Sequence, residues 1–545
     1  MTTLVLGPVL RYVDDTSATV WVETDRDCLV EILGSTAHTF HAGGHHFALV
    51  RIRGLEPGTT RPYEVRLDGE KVWPLPHDPR PPCQISTVPT GPESSLRLLF
   101  GSCRFGASED PKQDAALGPD ALADFVDELT SGSHTRWPDA MLLLGDQVYA
   151  DETTPQVRRD LARKRDLNEP PGHEVADFEE YTLLYRHAWR EPYLRWLLST
   201  VPSMMIFDDH DVRDDWNTSG AWRAQMAREP WWRERLLGGL ASYWIYQHIG
   251  NLDPDTLDRD ETFQHVLEQG RDGDALPILR ELAAAADDEH DAMHDVRWSY
   301  RRDLGPARLL VLDTRGGRVL DTGRRSMLSD VDFDWAEQEL QTTPEHVVVG
   351  SSLPWLLPTG IHHLQEWDEA IAARGGRLGR LGEKIRQELD LEHWAAFRGS
   401  FDRFTDLLRR TARRTDPPAT ITVLSGDVHH SYLADPDCGG ARCRVTQVVS
   451  SPLHNETPLA FTPALRLAWT DPIIAVLRRV ARWAGVRALP VHWRKSAGPY
   501  FGNAVGLLDL DRESASVALR VVDHSTGRLT RGTRRRLSST RTPTS

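Results

Sequence analysis

Residues 141–152, MLLLGDQVYADE, run four apolar side chains straight into Gly-Asp. An uninterrupted apolar run reads as a strand buried on both faces, and Gly-Asp as the turn that closes it. One such turn is ordinary. Here the device recurs in LRLLFGSC (96–103), PSMMIFDDH (202–210), ARLLVLDTR (307–315), HVVVGSS (346–352) and TITVLSGDVHH (420–430). Amphipathic stretches such as DALADFVDELT (120–130) and VDFDWAEQELQ (331–341) separate these runs. Apolar strands alternating with such helices predict an α/β layered domain around a buried sheet. In such folds ligands gather at the strand ends, where this chain places its polar residues.

The rest of the chain frames that domain. At 545 residues it is too long for one hydrophobic core, so more than one domain is expected. Residues 1–90 alternate apolar and polar positions (SATVWVET, RPYEVRLDGE) between Gly and Pro turns, which predicts a small β-sandwich. STVPTGPESS (86–95) reads as a linker. The layered domain is expected over 96–525, with helical, Trp-rich insertions at 153–200 and 221–300 serving as lid and core. NAVGLLDLDRESASVALRVVD (503–523) reads as a closing hairpin, and the basic residues 526–545 as a disordered tail. The cationic amphipathic stretch 461–486 is expected to pack on the domain, with membrane contact as the weaker reading.

Composition excludes some partners. A net charge of −16 argues against nonspecific binding to nucleic acid or an anionic membrane, while leaving room for a local phosphate pocket. No signal peptide, twin-Arg start or membrane-spanning run stands out, so a cytoplasmic location is expected. The five cysteines are sparse and odd in number, which does not suggest a disulfide framework. Cys438 and Cys443 are close enough in sequence to pair, which a reducing compartment disfavours.

Four strand ends carry metal-type ligands: Cys103; Asp146 with Tyr149; Asp208, Asp209 and His210; and Asp427 with His429 and His430. Carboxylates are hard oxygen ligands able to bridge two ions, and imidazole suits zinc, iron and manganese. A free histidine nearby can move protons. Each residue also has a plainer role open to it. Cys103 can be an inert buried thiol, Tyr149 a packed aromatic, Asp208 an orienting partner for His210, and His430 a neighbour of His429. Asp151 and Asp211 read as turn or capping acids. Arg104 follows Cys103 and either contacts a phosphate oxygen or forms an ordinary salt bridge.

The order Ser-Cys, G-D-x-x-Y, D-D-H-D and G-D-x-H-H, followed by VVSSPL, resembles the alkaline phosphatase D (PhoD-like) branch of the calcineurin-like metallophosphoesterases. The similarity extends to GPVLRYVDDTSATVWVE near the N-terminus, to LLVLDTRGGR and to the FDWAEQEL helix. It implies a four-layer αββα sandwich with metals at the strand ends, behind a PhoD-type N-terminal β domain. It further implies Asp146 as a bridging carboxylate, with Cys103 and Tyr149 completing an iron site. Asp209, Asp427 and His429 match the second-metal motifs. The superfamily's lone histidine after a central strand is replaced by Ser351 and Ser352 in VVVGSSLPW. That departure favours a hard ion such as calcium, with zinc or manganese as alternatives.

The implied activity is metal-dependent hydrolysis of a small or polymeric phosphate ester. A hydroxide formed at the metals attacks phosphorus, His210 is the general acid, and Arg104 contacts the phosphate. Two other readings compete. One is a catalytically retired metal- or phosphate-binding scaffold. The other is an exported phospholipid or teichoic-acid diesterase, which the missing export signal disfavours.

Overall fold

Every apolar run singled out above forms a strand in one of two large sheets. The computed structural model describes residues 2–91, 94–132, 136–288, 296–321, 323–342 and 344–538. These residues form a mixed α/β fold with several sheets and sixteen α-helices. The six-stranded sheet runs in the order Ser203–Ile206, Ala140–Leu144, Leu96–Gly101, Ala504–Leu510, Ala515–Asp523, Arg528–Arg536. The seven-stranded sheet runs Tyr300–Leu304, Ala307–Leu312, His346–Ser351, Thr420–Ser425, Arg444–Val449, Ser431–Pro436, Trp493–Tyr500.

Parallel pairing is what gathers the strand ends. Leu96–Gly101, Ala140–Leu144 and Ser203–Ile206 are mutually parallel, with Gly101 beside Leu143 and Leu144 beside Ile206. In the second sheet Leu312, Ser351, Ser425 and Val449 stand in one row across four parallel strands. Whatever follows each of these residues therefore emerges on one edge. The two sheets face each other: Gly350 lies against Leu142 and Leu144. Alternation along one strand sorts the residues. Val348 joins the core between the sheets, while Val347 and Val349 join a second core with Phe401, Phe404 and Leu408 of helix Arg398–Ala412.

Residues 4–86 form two four-stranded sheets and a two-stranded one. Val20, Val22, Val50 and Ile52 from one face Val30, Ile32, Val65 and Trp73 from the other, in a core of their own. The opposite face of the first sheet is also covered. Trp21 and Phe47 pack on Tyr246, with Trp21 5.1 Å from it between ring centroids. His45 ties this contact to helix Phe178–Trp189. Its Nδ1 lies 3.0 Å from Glu23 and its Nε2 2.8 Å from Glu179.

Burial works against the His45 imidazolium, but the two carboxylates outweigh it and raise the pKa above the ordinary value. A raised folded pKa adds stability below the unfolded pKa, which is lost as pH climbs through the folded one. The gap in unfolding midpoint between the wild type and His45→Ala should therefore shrink from about pH 6 to about pH 8. A gap constant over that range would show that the ion pairs add nothing.

One expectation changes. The basic stretch from 526 is not structureless, because Arg528–Arg536 pairs antiparallel with Ala515–Asp523 and closes the six-stranded sheet. Residues 539–545 lie outside the described residues. Insertion 221–300 contributes to the main core through Trp222, Leu236, Tyr243, Trp244 and Ile245. Its residues 289–295 are outside the described set. The cationic stretch near 461–486 packs on the domain as expected, through helix Asp471–Trp483 against helix Thr359–Ala372, but buries little: only Ala481 is buried in Asp471–Trp483, and nothing in Thr462–Leu467.

Candidate functional site

The loops after the parallel strands meet under backbone constraint. Cys103, Asp146, Asp427 and His429 have φ of 56°, 52°, 65° and 49°. Such values cost about 1–3 kcal/mol for a non-glycine residue and persist only where the surroundings fix them. Both Gly-Asp turns need their glycine for a further reason. A Cβ on Gly145 (φ 103°) would lie 2.5 Å from Asp208 Cβ, and one on Gly426 would strike Ser102 Oγ. The contact at Gly426 brings strand ends of the two sheets together. Asp427 N donates to Ser102 Oγ at 3.0 Å, Arg104 N to Asp146 O at 3.1 Å, and Cys103 N to Gly145 O at 3.3 Å.

At this junction Asp146, Asp208 and Asp209 offer carboxylate oxygens all within 4.8 Å of one another. Asp146 Oδ1 and Asp208 Oδ2 are buried with no partner, while Asp209 Oδ1 lies 3.1 Å from Arg315 Nη2. Burial raises the pKa of all three acids, and their mutual repulsion adds to it. Cys103 Sγ contacts Ser102 Oγ at 3.2 Å and Ser451 Oγ at 3.3 Å. Burial, with Asp146 and Asp427 nearby, pushes its thiol up. Tyr149 packs on Phe105 and His210, at ring-centroid distances of 4.8 and 4.7 Å, and its hydroxyl accepts from Asn455 at 3.1 Å. Buried acids with unpaired oxygens beside a thiol and a phenol fit a cation: it would offset the repulsion and occupy the lone pairs.

His210 stands at the rim. Its Nδ1 lies 3.0 Å from both oxygens of Asp151. That leaves Nε2 as the atom able to exchange a proton with a ligand. Burial opposes the imidazolium, but Asp151, Asp209 and Asp146 overcome it and hold its pKa well above the usual value. Asp427 contacts His393 Nε2 at 2.8 Å, and this contact with Arg315 holds its carboxyl at about 2 against the effect of burial. Burial takes the His429 imidazole down to about 4.

The structure thus brings together Cys103, Asp146, Tyr149, Asp209, His210, Asp427 and His429. Arg104 is the exception. Its guanidinium is buried, and four of its five N–H groups are taken by Asp120 (3.1 Å), the Ala188 carbonyl (3.1 Å), Glu191 (2.6 Å) and the Tyr193 hydroxyl (2.5 Å). This is the salt-bridge role. Ser351 and Ser352 are also engaged, with the Leu353 carbonyl and with Thr314.

Sequence reading missed several members. Asp151 and Asp211 are not simple capping acids: Asp151 orients His210, and Asp211 Oδ2 accepts from the backbone N–H of Asp146 and of Asp208, each at 2.9 Å. Arg315, fully buried, contacts Asp208 through Nε, Glu392 at 2.5 Å and Asp209 at 3.1 Å. It ends an apolar run as the predicted ligands do, so its position was a usable signal. Glu392 and His393 follow no strand and gave none. A cavity of about 160 Å³ opens beside Tyr149, lined in part by Phe105, Val148, His187 and Arg190.

Residues 129–460 match the family model of PhoD-like phosphatases, and residues 1–85 match a domain of unknown function, DUF7800. No curated protein matches the chain. The solved structure of PhoD is similar in fold, with a TM-score of 0.61 at 13% identity over 99% of this chain and 93% of that one.

Proposed function

The chain belongs to the PhoD-like phosphatase family and is a phosphoric ester hydrolase, and from that premise we propose a metal centre built on Asp146 with His210 as the general acid. The observation that carries this reading is the cluster of buried carboxylates on Asp146, Asp208 and Asp209, in which Asp146 Oδ1 and Asp208 Oδ2 have no partner. Asp146 lies between two groups of donors, so it is read as the bridging ligand. Cys103 and Tyr149 would offer a thiolate and a phenolate on one side once a bound cation displaced their protons, a set suited to iron. Asp209, Asp427 and His429 would hold an ion on the other side, calcium or another hard ion. Arg315 already places a positive charge against Asp208 and Asp209, so Asp208 is read as a partner of Arg315 more than as a ligand.

Metal ions held there would supply Lewis-acid chemistry toward the phosphoryl group and the attacking water. The chain's own residues do the rest. The backbone turns at Cys103, Asp146 and Asp427 fix the donors on the strand edge. Asp151 holds His210 through Nδ1, so that Nε2 can give its proton to the leaving alkoxide. Phosphate is not clamped by Arg104, whose guanidinium faces the protein interior. The two large sheets and their helices are read as the four-layer αββα sandwich, and residues 1–90 as a separate β domain. The shared core between the sheets and the distinct N-terminal core support that division. No helix among the described residues is long and apolar enough to cross a membrane. The retired-scaffold reading has no observation in its favour.

His210→Ala tests the assignment. Turnover of an aryl phosphate mono- or diester should fall about 10²–10⁴-fold with metal content unchanged. Asp151→Asn should lower it less, by about 10–100-fold, because the ring remains but loses its orienting carboxylate. Unchanged turnover in His210→Ala would remove the histidine from the mechanism.

A further inference from the structure

Helices Thr462–Leu467 and Asp471–Trp483 leave large apolar side chains in solvent. Leu459 is 83% exposed, Trp483 78% and Phe461 61%, with Leu467 and Val476 more than half exposed. The apolar arc of Asp471–Trp483 is wider than its support requires. Ala481 is buried where this helix packs on helix Thr359–Ala372. Counting 100° per residue, Ile474 and Leu477 flank Ala481, while Val476 and Trp483 lie on the far edge of the arc, next to Arg479. The neighbouring helix Gly376–Glu388 repeats the pattern. Gly379 and Gly382 close onto Ala372, and Leu378 and Leu381 remain about half exposed. Arg374 donates to the Ala484 carbonyl at 2.9 Å, so the three helices share this end.

Charge decides what this surface fits. The chain carries a net charge of −16, yet Leu459–Leu489 holds five arginines and one aspartate. Arg478, Arg479 and Arg482 are exposed, as are Arg377 and Arg380 on the adjacent helix. Exposed aromatic and aliphatic side chains rimmed by arginine, on an otherwise acidic protein, match an anionic lipid headgroup layer. A protein partner would more often meet an apolar centre depleted of charge.

We propose that the surface formed by residues 459–487 with the helix Gly376–Glu388 docks the protein on an anionic bilayer. Phe461 and Trp483 enter the headgroup boundary, and Arg478, Arg479 and Arg482 pair with lipid phosphates. The surface adjoins the metal centre through a short link. Asn455 holds the Tyr149 hydroxyl, Thr457 Oγ1 donates to the His429 carbonyl, and Leu459 follows two residues later. Docking is therefore expected to set the site close to the membrane plane.

The test is co-sedimentation of the full-length, metal-loaded protein with vesicles of phosphatidylglycerol and phosphatidylcholine, or of phosphatidylcholine alone. The protein should pellet with the anionic vesicles, weakly with the neutral ones, and less as salt rises. The double variant Phe461→Ser/Trp483→Ser and the triple variant Arg478→Glu/Arg479→Glu/Arg482→Glu should each bind at least tenfold more weakly. Both should keep the wild-type unfolding midpoint and turn over soluble aryl phosphates at the wild-type rate. Hydrolysis is read separately, so a failure of docking is distinguishable from a failure of the active-site reading. No sedimentation of the wild type, or equal binding by both variants, would overturn the proposal. So would a wild-type dimer in light scattering that Trp483→Ser dissociates, because the surface would then be a contact between copies.

Discussion

Asp146→Asn is expected to cost the protein its metal and about a thousandfold or more in kcat/KM. Lewis-acid stabilisation of a phosphoryl transition state is worth several kcal/mol, and each 1.36 kcal/mol is tenfold in rate. Asp146 is the residue placed to serve both donor groups, because its turn lies against Cys103 on one side and Asp208 and Asp209 on the other. The amide keeps the shape and removes the anionic oxygen that Asp146 holds unpartnered. Elemental analysis beside the wild type reads the loss directly, without reference to turnover. A second readout has the opposite sign. With metal stripped from both proteins, the asparagine variant should unfold at the higher temperature, because one of three buried, mutually repelling carboxylates is gone. Full metal content in Asp146→Asn would move the centre away from this residue.

Arg315→Met is expected to destabilise the fold by about 3–5 kcal/mol, the usual cost of leaving buried charges without their partner. Arg315 is fully buried and is shared by Asp208, Asp209 and Glu392, with Asp427 at 3.9 Å. Its loss leaves Asp208 without its arginine and Glu392 with Arg318 alone, at 3.1 Å. Lysine should not rescue it, because one ammonium cannot reproduce a planar fork reaching several carboxylates. Combining Arg315→Met with Asp208→Asn should recover part of the loss, with a coupling above about 1 kcal/mol for a directly bonded pair. The measurement is urea or thermal unfolding of the four proteins in the cycle. A single-variant loss below about 1 kcal/mol would make Arg315 a bystander.

Much of the site was legible because its residues follow apolar strands directly in the chain. Met141–Leu144 forms a strand because its side chains are apolar on both faces, and Gly145-Asp146 follows by covalent connection alone. The same local logic placed Cys103, Asp209, Asp427 and His429 on strand ends. Parallel pairing, itself implied by alternating strands and helices, then gathers those ends on one edge. The sequence by itself therefore determined the layered α/β fold, the edge that carries the site and most of the candidate donors.

Tertiary structure decided what those donors face. Arg104 follows a candidate ligand in sequence, yet it turns inward because Asp120 and Glu191, 16 and 87 residues away, take its guanidinium. Asp151 looked like a turn acid until the fold set it against His210, 59 residues on. Asp208 and Arg315 meet across 107 residues. Residues 528–536 looked like a disordered basic tail because their charge gave no strand pattern, but an edge strand needs only a backbone partner, which Ala515–Asp523 supplies. An amphipathic stripe, finally, states that an apolar face exists and not what covers it. In Asp471–Trp483 the neighbouring helix covers only part of that face, and the rest stays in solvent. Local side-chain pattern fixes strands, turns and their order. Direction, ion pairing and coverage depend on groups distant in the chain, which only the closed fold brings within reach.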